Sequence, residues 1–462
     1  MKRLSPSDAM FLYGESREQM FHVAAMMPFT PPPDASPDHL RELMDEVRAG
    51  VQVFRPWNLK LRHPDFLYHP LQAWEEEPNI DLEYHLRRSA LPSPGDEREL
   101  GILVSRLHGY HVDLHRPPWE VHLIEGLERG RFALFVKVHH SLVDGFSAMR
   151  ILANALTTDP DERGRPLFFS IPPKARAPRE EQEGVHYAAV MSAVREQYGA
   201  AKVAGRALKK VFDSARAGDH ELVSPRQAPK SILNARISQS RRFATQRLET
   251  SRLKAIAKAA NGTLNDVVLA LCASSLRQYL VEQNALPPEP LIAMVPVAVR
   301  AKDDDSGGNS VGAILANLAT DIEDPYERLA EIIESTRHAK KQLEGMSKSA
   351  IIQYSALLIA PSMLQMIPQT AGHVRPTFNV VISNVPGPDQ SLYFRGAQLE
   401  ASYPMSIPLH GQALNITCMS YAGHMCFGFT GCRDTLPSLQ HLAVFCGEAL
   451  VDLERAVATS AA

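Results

Sequence analysis

The sequence predicts a mixed α/β protein of two domains, and three observations carry that expectation. The chain has 462 residues, more than one hydrophobic core usually holds, so two units of roughly 200 residues each are expected. Apolar residues make up 45% of it and charged ones 22%, the balance of a globular chain rather than a disordered or fibrous one. Strand-like alternation and helix-like spacing occur in both halves, on either side of a proline-rich, charged stretch from Pro172 to Gly184 (PPKARAPREEQEG). The division that follows is a first domain at 1–171, a connector at 172–235 and a second domain at 236–462.

Each element has its own signal. Arg131 to His140 (RFALFVKVHH) alternates like a strand, and Gly145 to Leu156 (GFSAMRILANAL) has apolar residues at helical spacing. The connector continues into a weakly apolar helical run from Tyr187 to Ala217 that carries lysines and arginines. Ser251 to Leu280 reads as two helices parted by Asn261 and Gly262, a helix-stop pair. Pro290 to Arg300 (PLIAMVPVAVR) predicts a strand. Asp324 and Pro325 then supply an N-cap and a first helical residue for a helix running to about Glu344. Further strands are expected at Thr377 to Ser383, Leu414 to Tyr421 and Met425 to Gly431, with a closing helix near Leu436 to Ala456. No internal repeat is visible.

Composition excludes some functions. A net charge of -3 gives no electrostatic footprint for nucleic acid. Five cysteines without CxxC spacing, and an opening MKRLSPSDAMFLYGE without the apolar core of a signal peptide, point to a reducing, cytoplasmic setting. The most apolar segment, Ala350 to Pro368, is interrupted by Gln353, Pro361 and Gln365, whereas a membrane-spanning helix needs about 20 largely apolar residues. His108, His111 and His115 invite a metal reading, but only the last two have a helical ligand spacing and Pro117 and Pro118 follow at once. No metal site is expected, and Cys426 and Cys432 read as strand core.

The chemistry concentrates in HHSLVDG, residues 139–145, where a buried-looking strand hands over to a helix. Such a turn presents a side chain to a cleft while the scaffold holds its backbone. Attack by an alcohol needs a base near neutral pH, and histidine has a suitable pKa. Strand parity sends His139 and His140 to opposite faces, so one of them serves the cleft and the other the scaffold. Asp144 is placed to cap the helix beginning at Gly145, and Gly145 leaves room where bulk would block a substrate. Ser141 adjoins the pair, but no GxSxG elbow surrounds it.

HHxxxDG with its neighbours resembles the coenzyme A-dependent acyltransferase superfamily of chloramphenicol acetyltransferase and peptide-synthetase condensation domains. Within it the chain is most similar to the bacterial wax ester synthase/diacylglycerol acyltransferase branch. The blocks that carry the likeness are LSPSDAMFL (Leu4 to Leu12), RPPWEVHLIEGL (Arg116 to Leu127), HHSLVDG, ISQSRRFA (Ile237 to Ala244), LNDVVLA (Leu264 to Ala270), MVPVAVR (Met294 to Arg300), GGNSVGAIL (Gly307 to Leu315) and SNVPGP (Ser383 to Pro388). Where the family carries PLW, this chain has Pro117, Pro118 and Trp119, a departure that touches local packing.

The resemblance implies two chloramphenicol acetyltransferase-like domains facing each other across a central tunnel. It implies that His140 takes the proton of an alcohol attacking an acyl-CoA thioester directly, without an acyl-enzyme. His139 is expected to support the motif structurally, and Asp144 to hold the loop through an arginine. Asn265 and Asp266 match the family's ND block; capping is the better reading for Asp266, while Asn265 stands evenly between capping and oxyanion donor. The expected partners are acyl-CoA as co-substrate, with no tightly bound cofactor, a long-chain alcohol or diacylglycerol, and a lipid or membrane surface touched peripherally.

No phosphate-binding glycine signature is present, so single cations would meet coenzyme A, and Arg241 and Arg242 are candidates beside their ordinary reading as surface arginines. Lipid chains need apolar walls, at about 0.8 kcal/mol per buried methylene. Ala350 to Pro368 and Ser402 to Gly411 are the segments suited to that, with Ala360 and Met405 as sample positions. Gly199 to Gly218 mixes cations with apolar residues, as interfacial helices do. Two alternatives stay open: the same fold acylating a polyketide- or peptide-linked acceptor, and a non-catalytic lipid-surface binding protein.

Overall fold

The computed structural model describes residues 2–4, 6–49, 51–65, 68–69, 72–173, 205–209, 223–225, 227–298 and 311–460. The helical run expected at 187–217, and the basic segment within it, fall outside these except for 205–209, which are helical.

Two sheets carry the architecture. The first has the strand order Tyr393–Phe394, Ala397–Leu399, His22–Thr30, Phe132–His139, Trp119–Glu125 and Leu86–Ala90, and Tyr403–Met405 also pairs with His22–Thr30. The second runs Val311–Asn317, Ile292–Ala298, Val380–Val385, Leu414–Tyr421, His424–Cys432 and Arg241–Glu249, with Val380–Val385 parallel to both its neighbours.

Alternation within each strand divides the packing of the first sheet. Ala25, Met27, Val136 and Val138 face one side, where helix Gly145–Asn154 contributes Ala148, Met149 and Leu152. Ala24, Met26, Ala133 and Phe135 face the other and pack on Leu100, Leu103 and Val104 of helix Glu97–His108. Because both faces are covered, Phe132–His139 is buried along its whole length. In the second sheet, Val380, Ile382, Ile416 and Cys418 belong to a core shared with helices Thr250–Ala259, Leu264–Glu282, Pro325–Leu343 and His441–Ser460.

The sheets exchange chain. After Val385 the backbone leaves the second sheet, lays residues 393–405 along the first, and returns to form Leu414–Tyr421. Arg131 pairs with Glu400 at 3.0 Å across this crossing. Helix Glu97–His108 packs in turn on strand Arg241–Glu249, where the Ser105 hydroxyl accepts the Phe243 N–H at 2.9 Å.

Most of the expected elements form, with two shifts of physical origin. The strand expected from Thr377 begins at Val380, because Asn379 is drawn into a polar fastening: its Oδ1 accepts from Ile292 N–H and its Nδ2 donates to Pro229 O and Asn234 Oδ1. The closing helix begins at His441 rather than near Leu436, since Ser438 takes a left-handed φ of 54° that no helical turn continues through, while the Pro437 carbonyl accepts from the Tyr279 hydroxyl.

Candidate active site

Two backbone bonds set the HHSLVDG turn. The His139 N–H donates to Pro118 O at 2.9 Å, and the His140 N–H donates to Phe21 O at 2.8 Å, so the two histidines are gripped from the strands on either side. The chain then turns, with Leu142 N–H donating to His139 O at 3.0 Å. Asp144 caps helix Gly145–Asn154, its Oδ1 accepting from Ser147 N–H at 2.9 Å. Among the described residues no arginine pairs with Asp144.

Parity separates the histidines as expected. His140 follows Val136 and Val138 on the face that lines a cavity of about 610 Å³ between the two sheets. The first sheet and its helix add Val23, Ala25 and Ala148 to the wall, and Phe11 lies over the imidazole with ring centroids 4.2 Å apart. The second sheet supplies the opposite wall. Val381 stands beside Asn415 and Ser383 beside Thr417 in the parallel ladder, and all four line the cavity, as do Asn384 and the crossing residues Pro404 and Met405. The walls are thus mostly apolar, with a patch of hydroxyl and amide groups facing the side that bears His140.

His140 is suited to accept a proton. Burial lowers its pKa below the ordinary histidine value, His139 adds to that, and Asp144 opposes it. The ring is neutral near pH 7. His139 points away from the cavity, fully buried, with Nδ1 2.6 Å from the Ser141 hydroxyl and 3.2 Å from the Ser141 backbone N–H. Its Nε2 lies 3.6 Å from Glu15 Oε1. The Glu15 carboxyl is raised by burial but held down to about 2 by His111 and His139, which flank it.

The remaining candidates separate into those at the cavity and those away from it. Asp144, Gly145 and Met405 line it with His140. Ala360 does not: it is exposed at the C-terminal end of helix Lys348–Ile359, since that helix buries Tyr354 and Leu358 with Ile292 and Leu315 of the second sheet and turns Ala360 outward. Arg241 is a fastener. It is buried, and its guanidinium donates to Ser238 O and Glu18 O. Arg242 lines a separate groove with Arg106, Arg241 and Arg433. Asn265 lies half-buried in the first turn of helix Leu264–Glu282, outside the cavity. Its neighbour Asp266 forms a reciprocal capping box with Thr263 and accepts from the Thr336 hydroxyl at 2.7 Å, tying two helices together.

The histidines of LHGYHVDLH diverge: His108 is buried against Ser406 O, His111 meets Glu15, and His115 stands exposed beside Asp113. Among the described residues no group of three or more His, Cys, Asp or Glu converges on a possible ion. Cys426 and Cys432 are buried strand residues. Sequence reasoning missed Asn415 and Thr417, although the alternation of Asn415 and Thr417 with Ile416 and Cys418 inside LNITCMSY carried the signal. It also missed Glu15, for which no local pattern speaks.

Comparison with known proteins agrees over nearly the full length. Residues 4–268 match the model of the wax ester synthase/diacylglycerol acyltransferase catalytic domain, and residues 307–454 that of the corresponding C-terminal domain. A putative diacylglycerol O-acyltransferase of Mycobacterium tuberculosis is 50% identical, covering 98% of this chain and 97% of its own. The solved wax ester synthase/diacylglycerol acyltransferase of Marinobacter aquaeolei is 38% identical with a TM-score of 0.78, covering 99% of this chain and all of its own. The first condensation domain of the calcium-dependent antibiotic synthetase shares the fold at 16% identity, with a TM-score of 0.61 over 100% of this chain and 98% of its own.

Proposed function

The chain belongs to the wax ester synthase/diacylglycerol acyltransferase family and is an O-acyltransferase, and we propose that it joins the fatty acyl group of acyl-CoA to a long-chain alcohol or a diacylglycerol with His140 as the base. One observation carries this: His140 stands in the wall of a largely apolar cavity built jointly by two sheets. A thioester and an alcohol meeting there are both within a lipid-sized, water-poor space, and the imidazole is the basic side chain on its wall.

The reaction is a single transfer. As the alcohol oxygen attacks the thioester carbonyl, its proton passes to the neutral imidazole. The tetrahedral oxyanion needs donors, and the cavity offers Ser383, Asn384, Asn415 and Thr417 from the second sheet. These replace Asn265 as the candidates for that role. When the intermediate collapses, the C–S bond breaks and the imidazolium returns its proton to the departing thiolate, leaving ester, free coenzyme A and neutral His140. Arg242, with Arg106 and Arg433 in its groove, remains a cation available to a phosphate.

Association with a lipid surface is part of the proposal. Among the described residues no helix is long and apolar enough to cross a membrane. Ile352, Leu357, Met363, Ile367 and Val374 are nonetheless exposed within one short stretch, a concentration suited to peripheral contact with an apolar phase that holds the substrates.

Purified protein given palmitoyl-CoA with hexadecanol or diolein is expected to release free thiol and form the matching ester. His140→Ala is expected to lower turnover by roughly 10²–10⁴-fold, the range for a positioned general base, with its melting temperature retained. A folded His140→Ala protein that turns over at the parent rate would discard the base.

A further inference from the structure

Glu15 lies behind the catalytic turn, on the side away from the cavity. It is largely buried, with a side-chain exposure of 11%, and a single oxygen, Oε1, meets three groups. The Phe21 N–H donates to it at 3.4 Å, His111 Nδ1 lies at 3.3 Å and His139 Nε2 at 3.6 Å. Two of these lead to His140. Phe21 gives its carbonyl to the His140 N–H at 2.8 Å, and its ring and that of His140 both abut Phe11.

His139 leads there by its tautomer. The Ser141 backbone N–H can only donate, and it points at His139 Nδ1. Nδ1 is therefore an acceptor, and the neutral ring carries its proton on Nε2, the nitrogen facing Glu15. A carboxylate at that place favours this tautomer over the other. With Nδ1 holding Ser141, the first residue after His140 is tied back to the scaffold, so the His140 peptide is fixed on both sides.

We propose that Glu15 is a positioning residue for acyl transfer: its carboxylate locks the His139 ring and the Phe21 peptide, and through them aims the His140 imidazole into the cavity. Glu15 touches neither substrate. This rests on His140 being the base, and the two can fail separately: an active His140→Ala protein removes the base, whereas the Glu15 variants test only the aiming.

The test is a cycle of Glu15→Ala, Glu15→Gln and His139→Ala in the full chain, with thiol release from palmitoyl-CoA and hexadecanol giving kcat and both KM values. Misplacement of a reacting group by about 1 Å costs roughly 10²-fold, so Glu15→Ala is expected to lose about 10- to 100-fold in kcat with both KM values unchanged. Glu15→Gln keeps an oxygen for the Phe21 N–H and the His139 proton but loses the charge, and is expected to lose roughly fivefold in kcat. Residues acting as one unit do not add, so the Glu15→Ala/His139→Ala double variant should be no slower than the slower single one. Unchanged kcat in Glu15→Ala, a loss confined to KM, or losses that multiply in the double variant would each overturn the proposal. If Glu15→Ala does not fold, the isosteric Glu15→Gln decides in the same cycle: a kcat loss that is smaller in the His139→Ala background than in the parent upholds it, and a loss that is absent or multiplies in full overturns it.

Discussion

Leucine at position 25 should shorten the chain the enzyme prefers. Ala25 sits in strand His22–Thr30 opposite Val136, buried in the sheet and lining the cavity beside Val23 and Val138. Ala25→Leu adds three carbons to that wall and takes the room of about three substrate methylenes. At about 0.8 kcal/mol for each, roughly 2.4 kcal/mol of transition-state binding is lost for any chain that reaches the position, or about sixtyfold in kcat/KM. Chains that stop short of it should keep the parent rate. Overpacking costs roughly 1–3 kcal/mol of stability, so a melting curve accompanies the kinetics to show that the variant is folded. The assay is thiol release across acyl-CoAs from octanoyl to stearoyl with one alcohol, followed by alcohols from octanol to octadecanol with one acyl-CoA. A break in one of the two series would identify which chain passes Ala25. Equal proportional loss at every length in both series, or long chains turned over at the parent rate, would refute the placement of lipid in this cavity.

Two further outcomes follow from the same geometry. A Cβ on Gly428 would lie 2.0 Å from Pro404 O, a backbone atom of the crossing segment, whereas one on Gly145 would find its nearest neighbour, Val23 Cγ1, at 3.9 Å. Gly428→Ala should therefore destabilise by about 2–4 kcal/mol and Gly145→Ala by less than about 0.5 kcal/mol, as read by urea unfolding, and the reverse order would contradict the crossing. The pH dependence of kcat/KM has a definite sign: the base works when neutral and burial lowers the His140 pKa, so activity falls with acid only below the ordinary histidine value, and the protein at pH 6.5 should keep more than half its plateau rate. An acid midpoint above 6.5 would show that the titrating base is not this buried imidazole.

How far the sequence could be read depended on whether a feature was local. The strand at Phe132–His139, the capped helix after Asp144 and the Asp324–Pro325 helix start are written in consecutive residues, and each forms where its pattern places it. The parity of His139 and His140 is equally local, and it separated the cavity-facing ring from the buried one. Ala360 lies away from the cavity and the Arg241 guanidinium is spent on carbonyls, because an apolar or basic residue type does not say which face its element will bury. Helix Lys348–Ile359 spends its apolar residues on both a buried and an exposed side, and Arg241 satisfies the carbonyls of Ser238 and Glu18. Glu15 was illegible for a different reason. Its neighbours in space are His111 and His139, about 100 residues or more further along the chain, which reach it only once the first sheet and its flanking segments have folded.

The construction of the cavity from two sheets gives the proposed reaction room for two long substrates at once. A cleft on one sheet could bury one apolar chain against one face, leaving the other in water. Here the wall opposite His140 belongs to the second sheet, whose Ile382, Ile416 and Cys418 are committed to its own core while Val381, Ser383, Asn415 and Thr417 remain for the cavity. The gap between the walls is then fixed by the segment that crosses from one sheet to the other, with Tyr403–Met405 laddered on His22–Thr30 and Gly428 lacking a side chain where Pro404 passes. Substitutions on the cavity faces can change which chains fit without touching that spacing, but a change at the crossing moves both walls relative to His140. Chain-length preference and the chemical step are thus separable at Ala25 and inseparable at Gly428, because only at Gly428 does the altered atom meet the backbone that sets the distance between the sheets.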